Sequence, residues 1–189
     1  GKVLMTRSDH LSGSDRIAEA ASNVEADIVV NIQGDEALVS PDHINELICH
    51  SISSEAPVSM LATSFCKRES PSDIKLVLNE NGCILYASRT DIPHSKTLDK
   101  VDLIKAYHVV AFQKQFLIKF TSWEPSKHEL IEGNEYLRII EKGGGISTVL
   151  VASEAISVDT KTDLAIVDQL MANDKLFATY KCLLQPTDK

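Results

Sequence analysis

Residues 27–39, DIVVNIQGDEALV, join an apolar run to a glycine and two acids, and this is where the chain first offers groups that could do chemistry. Ile28, Val29, Val30 and Ile32 are β-branched and nearly uninterrupted, which predicts a strand buried on both faces, with Gln33, Gly34, Asp35 and Glu36 at its carboxyl end. In open α/β sheets ligands bind at that end. A glycine lets the backbone turn sharply there, and the exposed Asp35 beside it offers hard oxygen ligands suited to a magnesium ion carrying a nucleotide phosphate. An ordinary Gly-Asp turn after a strand uses the same residues, so this stretch by itself leaves both readings open.

Such a rim needs a sheet behind it. Ahead of the strand, Ser12 or Ser14 can cap a short helix carrying Ile17, Ala18, Ala20 and Ala21, with Asp15 in its first turn. After it, Ser40 and Pro41 open a second helix bearing Ile44, Leu47 and Ile48. Residues 2–5 (KVLM) read as a further strand, so the chain begins β-α-β-α, the alternation of a doubly wound, mostly parallel sheet. Residues 57–65 give a third strand, and then the rhythm changes. Residues 74–78 and 83–88 flank Asn79-Glu80-Asn81-Gly82, which predicts an antiparallel hairpin. A loop is expected over 89–101, a strand over 106–112, one or two helical turns over 113–120, and two short helices after Ser126 joined near Gly133 and Asn134. A strand over 146–151 and a helix running through Met171 follow. Gly143, Gly144 and Gly145 come after a helix instead of linking a strand to one, so they read as a helix end and turn, not as a phosphate loop. The expected fold is α/β and Rossmann-like: an open, mostly parallel sheet with helices on both faces plus an antiparallel hairpin lobe. It forms a single domain over 1–189, with the lobe inserted at roughly 70–125.

Composition narrows the function. With 189 residues, 43% of them hydrophobic, the chain can bury one substantial core. A net charge of -8, with no basic cluster longer than Lys67-Arg68, argues against nucleic acid as a partner. Cys49, Cys66, Cys83 and Cys182 are scattered, without the spacing of a zinc site or a disulfide framework, which fits reduced thiols in the cytoplasm. No apolar stretch approaches the ~20 residues of a membrane span.

Four separated patterns, SDHLSGSDR (8–16), NIQGDEALV (31–39), ILYASR (84–89) and SVDTKTDL (157–164), resemble in order and spacing those of the 3-deoxy-manno-octulosonate cytidylyltransferases, the CMP-Kdo synthetases. The resemblance covers nearly the whole chain. It implies magnesium-dependent nucleotidyl transfer, in which the anomeric hydroxyl of a 2-keto-3-deoxy sugar acid attacks the α-phosphate of CTP, giving CMP-sugar for lipopolysaccharide or capsule precursors and pyrophosphate. It also implies a homodimer, expected to form through the 74–88 hairpin region, whose Leu76, Leu78, Ile84 and Tyr86 put apolar residues on both faces and would need a partner to cover them. On this resemblance Asp35 and Asp159 are the catalytic, metal-holding carboxylates, converging at one rim of the sheet; the residues around Asp159 fit a helix N-cap equally well. Arg89 is similar to a family position facing the sugar carboxylate, a planar anion that suits a guanidinium fork. Gln33 resembles a position near the sugar, Ser12 and Gly13 a cytosine-reading turn, Arg16 a phosphate contact or loop brace, and Glu132 and Glu135 the acids of a substrate-side helix.

The chain also departs from that pattern. The family opens with a strand and a basic, glycine-containing loop for the triphosphate, ~30 residues or more of it by the usual size of a βα unit. That unit is not found here, so N-terminal truncation and impaired turnover are expected. Ala106 and Val110 stand where the family carries a histidine and a tyrosine facing the sugar, Ala37 follows the GDE pattern in place of proline, and Tyr136 replaces a common glutamine. The sequence assigns no role to Ala106, His108, Val110 or Tyr136. A different class of function also fits: a noncatalytic remnant serving as a dimerisation or sugar-binding module.

Overall fold

Across residues 2–96, 101–152 and 156–180, which the computed structural model describes, the chain forms α1 (Gly13–Ser22), β1 (Ile28–Ile32), α2 (Pro41–Ser53), β2 (Val58–Phe65), β3 (Lys75–Leu78) and β4 (Ile84–Ser88). It continues through β5 (Leu103–Gln113), α3 (Lys114–Thr121), α4 (Lys127–Glu132), α5 (Tyr136–Glu141), β6 (Ile146–Leu150), α6 (Lys161–Ala172) and α7 (Lys175–Tyr180). Local chemistry sets most of the boundaries. Ser12 and Asp15 close a capping box on α1 and Thr160 and Asp163 on α6, and at the start of α4 the Glu129 carboxylate accepts from the Ser126 amide at 2.8 Å. Ser40 caps α2 with Pro41 in its first turn. The hairpin between β3 and β4 turns at Gly82, whose φ of 72° favours glycine, while the Asn79 side chain accepts from the amides of Asn81 and Cys83.

The six strands make one sheet centred on β5. β2 runs antiparallel along one edge of β5, and the other edge is shared by β3 near Leu76↔Ile104 and β1 from Ile28↔Gln113 to Ile32↔Val109. β6 joins β2 in parallel, and β4 closes the hairpin on β3. Since β1, β2 and β3 all oppose β5, and β6 follows β2, strands β1, β2, β3 and β6 point one way, with β4 and β5 against them. The expected α/β architecture and its dominant strand direction are therefore present. The reversal of β5 in the middle makes β2–β6 the one parallel ladder among the described residues. The sheet also curls until its ends meet, through a bridge between Cys83 and Ser147 and a Thr148 amide donating to the Gly82 carbonyl at 2.9 Å.

Alternation along β5 builds a core on each face. Ala106, Val110 and Phe112 pack with α1, α3 and α5 through Ala18, Leu117, Phe120 and Leu137. Tyr107, Val109 and Ala111 face the opposite way, toward Leu47 of α2. Two expectations need correction. Residues 2–5 form no strand, and Val3 and Met5 are 83% and 90% exposed, so their apolar run finds no sheet edge among the described residues. The hairpin residues Leu76 and Ile84, expected to need an outside partner, are buried in the chain's own core. Residues 97–100 of the expected loop, and Cys182, lie outside the described residues. No helix among the described residues is long and apolar enough to cross a membrane.

Candidate active site

One cleft of about 550 Å³ opens beyond the carboxyl end of β1, and its walls bring Ser12, Gln33, Asp35, Arg89, Glu135 and Asp159 together. Asp35 lies three residues past β1, and Asp159 immediately precedes Thr160, the cap of α6. The Val158 amide donates to the Asp35 carbonyl at 3.1 Å, so the two acidic segments run side by side. Glu36, 4% exposed, accepts from the Ser157 hydroxyl at 2.7 Å and fastens them again. Thr160 caps α6, which leaves Asp159 free of that duty. Asp35 Oδ1 is buried with no hydrogen-bond partner among the described residues, as expected of an oxygen whose partner comes with a ligand. Asp35 and Asp159 fit magnesium, which is bound by one or two carboxylates together with substrate phosphates; no cluster of three or more His, Cys, Asp or Glu suited to a metal occurs among the described residues.

Arg89 forms another wall, and its setting explains why an exposed arginine can hold one orientation. Its Nε donates to the Glu132 carbonyl at 2.8 Å, one Nη to the Pro71 carbonyl at 2.9 Å, and the other reaches the Gly133 carbonyl at 3.4 Å. A guanidinium has five N–H donors, so two remain for an anion. The backbone is held as firmly: the Glu132 carboxylate accepts from the Arg89 amide at 2.9 Å and from the Ser88 hydroxyl at 2.7 Å. Lys75, fully buried, donates through Nζ to the carbonyls of Ser70, Asp73 and Arg89, tying the 70–73 loop to the end of β4. Burial pulls the Lys75 ammonium below its usual range, against the raising pull of Asp91 and Asp73. Gly133 ends α4 with φ 60°, and a Cβ there would lie 3.8 Å from the Arg89 guanidinium.

The third wall comes from α4, α5 and β5. Arg138 makes a two-armed ion pair with Glu129, donating from Nε at 2.8 Å and from Nη2, and its remaining arm donates to the Trp123 carbonyl at 3.0 Å. This pair locks α4 against α5. Glu135 accepts from the Ser14 hydroxyl at 2.9 Å through one oxygen, and its other oxygen is buried without a partner. Burial raises the Glu135 carboxyl above its usual range, helped by Asp15. Burial likewise pushes the Tyr136 phenol up, with Glu135 adding to it. His108, on β5, lines the same cleft; burial holds its imidazole below the usual value, opposed by Glu36, Asp35 and Asp159.

Not every residue singled out in the sequence reaches the cleft. Arg16 bonds Thr6 Oγ1 at 2.7 Å and the Arg7 carbonyl at 2.9 Å, bracing the segment ahead of α1. Gly13 is the first residue of α1, beside Ser12 but not in the lining. Glu132 spends both carboxylate oxygens on Ser88 and Arg89, so it positions the arginine. His108, Asn134, Asp73 and Tyr136 line the cleft without having been assigned to it from the sequence. The even-residue alternation of β5, which sets His108 on the face of Ala106 and Val110, was the signal available.

A family model described as Cytidylyltransferase matches residues 1–174. The 3-deoxy-manno-octulosonate cytidylyltransferase of Acaryochloris marina is 36% identical over 171 residues, covering 87% of this chain and 69% of that protein. The Escherichia coli protein of the same name is 36% identical over 177 residues, covering 92% and 72%. The solved structure of a CMP:2-keto-3-deoxy-manno-octonic acid synthetase complexed with CTP superposes with a TM-score of 0.86 at 35% identity, covering 92% of this chain and 73% of that one. The chain therefore belongs to the cytidylyltransferase family of nucleotide-transferring enzymes.

Proposed function

We propose that the chain transfers CMP from CTP to 3-deoxy-manno-octulosonate or a close 2-keto-3-deoxy sugar acid, with magnesium, releasing pyrophosphate. The observation that carries this reading is the meeting of Arg89 with Asp35 and Asp159 in one cleft, where a carboxylate-binding cation faces a metal-binding acid pair. The names of the relatives and the CTP in the solved neighbour supply the two substrates. The two free N–H groups of Arg89 would take the sugar carboxylate as a fork, with Gln33 beside it. Ser12, at the opening of α1, would contact the nucleotide from the other side. The anomeric oxygen then bonds to the α-phosphorus as the bond to the pyrophosphate oxygen breaks, and the hydroxyl proton passes to a base or solvent. Magnesium, held by Asp35 and Asp159, would neutralise charge on the phosphate oxygens.

Arg89 is the sole lysine or arginine lining this cleft among the described residues, so the β- and γ-phosphates find little positive charge in it. Positioning supplies up to ~7–11 kcal/mol of a barrier, and the polypeptide 1–189 by itself is accordingly expected to turn over slowly. A homodimer fits the exposure of Leu85 on β4 and Ile131 on α4, apolar side chains that a second copy could cover. A cytoplasmic site of action fits the use of CTP.

The test is formation of the CMP-sugar itself. With CTP, magnesium and 3-deoxy-manno-octulosonate, mass spectrometry should find the CMP-sugar, and pyrophosphate should form in equal amount. Pyrophosphate without CMP-sugar, or CMP transfer to an acceptor lacking a carboxylate, would defeat the proposal.

A further inference from the structure

We propose that His108 selects the sugar acid, by hydrogen-bonding one of its hydroxyl groups inside the cleft. This rests on the sugar-acid reading above and deepens it. Arg89 recognises a carboxylate, which every such acid carries, so discrimination among them must come from another wall.

Three observations place His108 there. First, the β2–β5 ladder breaks at this residue: Met60 faces Val110 while the next residue, Leu61, faces Tyr107, leaving His108 and Val109 as extra residues on β5. A bulge of this kind re-aims side chains, and such bulges concentrate beside functional sites. Second, the ring lines the cleft, yet Nδ1 is buried with no hydrogen-bond partner among the described residues. An imidazole nitrogen left without a partner inside the protein is costly, and in a cleft a ligand can supply that partner. Third, Tyr136, whose buried phenol has the Asn31 side chain beside it, lines the same wall. A neutral imidazole offers one donor and one acceptor, and so does a phenol; the group that complements both is a hydroxyl. Ala106 and Val110, on the same face of β5, carry no polar atom that could share this work.

Substrate hydroxyls are discriminated sharply by sites built to bond them, because an analogue lacking the hydroxyl leaves buried polar groups unpaired. Binding of 3-deoxy-manno-octulosonate and of analogues each lacking one hydroxyl should be measured by calorimetry on the native protein, His108→Ala, His108→Gln and Arg89→Met. In the native protein one deoxy analogue should bind about tenfold or more weaker than the parent acid. His108→Ala should bind parent and that analogue alike, and His108→Gln should recover part of the difference, with CTP still bound by both. Native discrimination persisting in His108→Ala overturns the proposal. Loss of all sugar binding in Arg89→Met, together with indifference to His108, overturns it alone and leaves the sugar-acid reading standing. A native protein that binds CTP but none of the acids overturns both.

Discussion

Arg138→Met should weaken the fold by about 3 kcal/mol, because it strips Glu129 of the cation that justifies its burial. The Glu129 side chain is 10% exposed and that of Arg138 6%, so neither charge has water to fall back on. Removing one partner of such a pair costs ~3–5 kcal/mol. The lower end applies here, since the Glu129 carboxylate keeps the Ser126 amide at 2.8 Å. The Arg138 guanidinium also stacks over Phe120, 4.9 Å from the ring centre, and methionine would preserve that apolar contact. For a domain of this size ~3 kcal/mol corresponds to a fall in Tm of ~6–12 °C. The double variant Glu129→Met, Arg138→Met replaces both charges by apolar chains of similar bulk, a change often neutral or stabilising, less ~1 kcal/mol for the lost cap on α4. It should therefore recover at least ~2 kcal/mol over the single variant. Urea unfolding with unchanged m-value is the assay. A single variant within ~1 kcal/mol of native, or a double variant weaker than the single one, would refute the view that the pair is costly to break but dispensable as a pair.

Asp35→Asn and Asp159→Asn should each lower CMP-sugar formation by ~100-fold or more while leaving Tm within a few degrees, and magnesium titration should show weakened dependence on the ion; full activity of either variant would remove it from the metal-holding role. Arg89→Lys should weaken sugar-acid binding ~10- to 100-fold with CTP binding intact, because an ammonium cannot span three carbonyls and still offer a fork; equal affinity in calorimetry would show that charge alone suffices. Glu135 has a folded-state carboxyl raised by burial, so native stability is highest below the ordinary carboxylate range and falls as pH rises through the raised value. Glu135→Gln should consequently be more stable than native at neutral pH and equal to it near pH 4; urea midpoints with the same pH slope in both proteins would contradict this.

What could be read from the sequence was what side chains encode locally. The Asn79–Gly82 turn and the Ser12, Ser40 and Ser126 helix starts carry their own hydrogen-bond partners, and each appears where it was expected. The Asp159 ambiguity was also resolvable: Thr160-Lys161-Thr162-Asp163 has the spacing of a capping box, which assigns the cap to Thr160 and releases the aspartate. The direction of β5 was not legible, since a period-two pattern is the same read either way and pairing is decided by partners far along the chain. Nor was the bulge at His108, which exists only relative to the register of β2.

The arrangement of the site depends largely on atoms that have no residue-specific signal. Arg89 is oriented by the carbonyls of Glu132, Pro71 and Gly133, and its own carbonyl is gripped by Lys75. The two acidic segments are aligned by an amide of Val158 and a carbonyl of Asp35. Motifs therefore name the side chains that meet in the cleft, while backbone groups common to all sequences decide how they meet. That division explains why Glu132 and Arg16 could be placed in the site by pattern and yet lie behind it: a charged side chain looks the same in sequence whether it faces a ligand or, as Glu132 accepts from the Arg89 amide and Arg16 donates to the Arg7 carbonyl, the backbone.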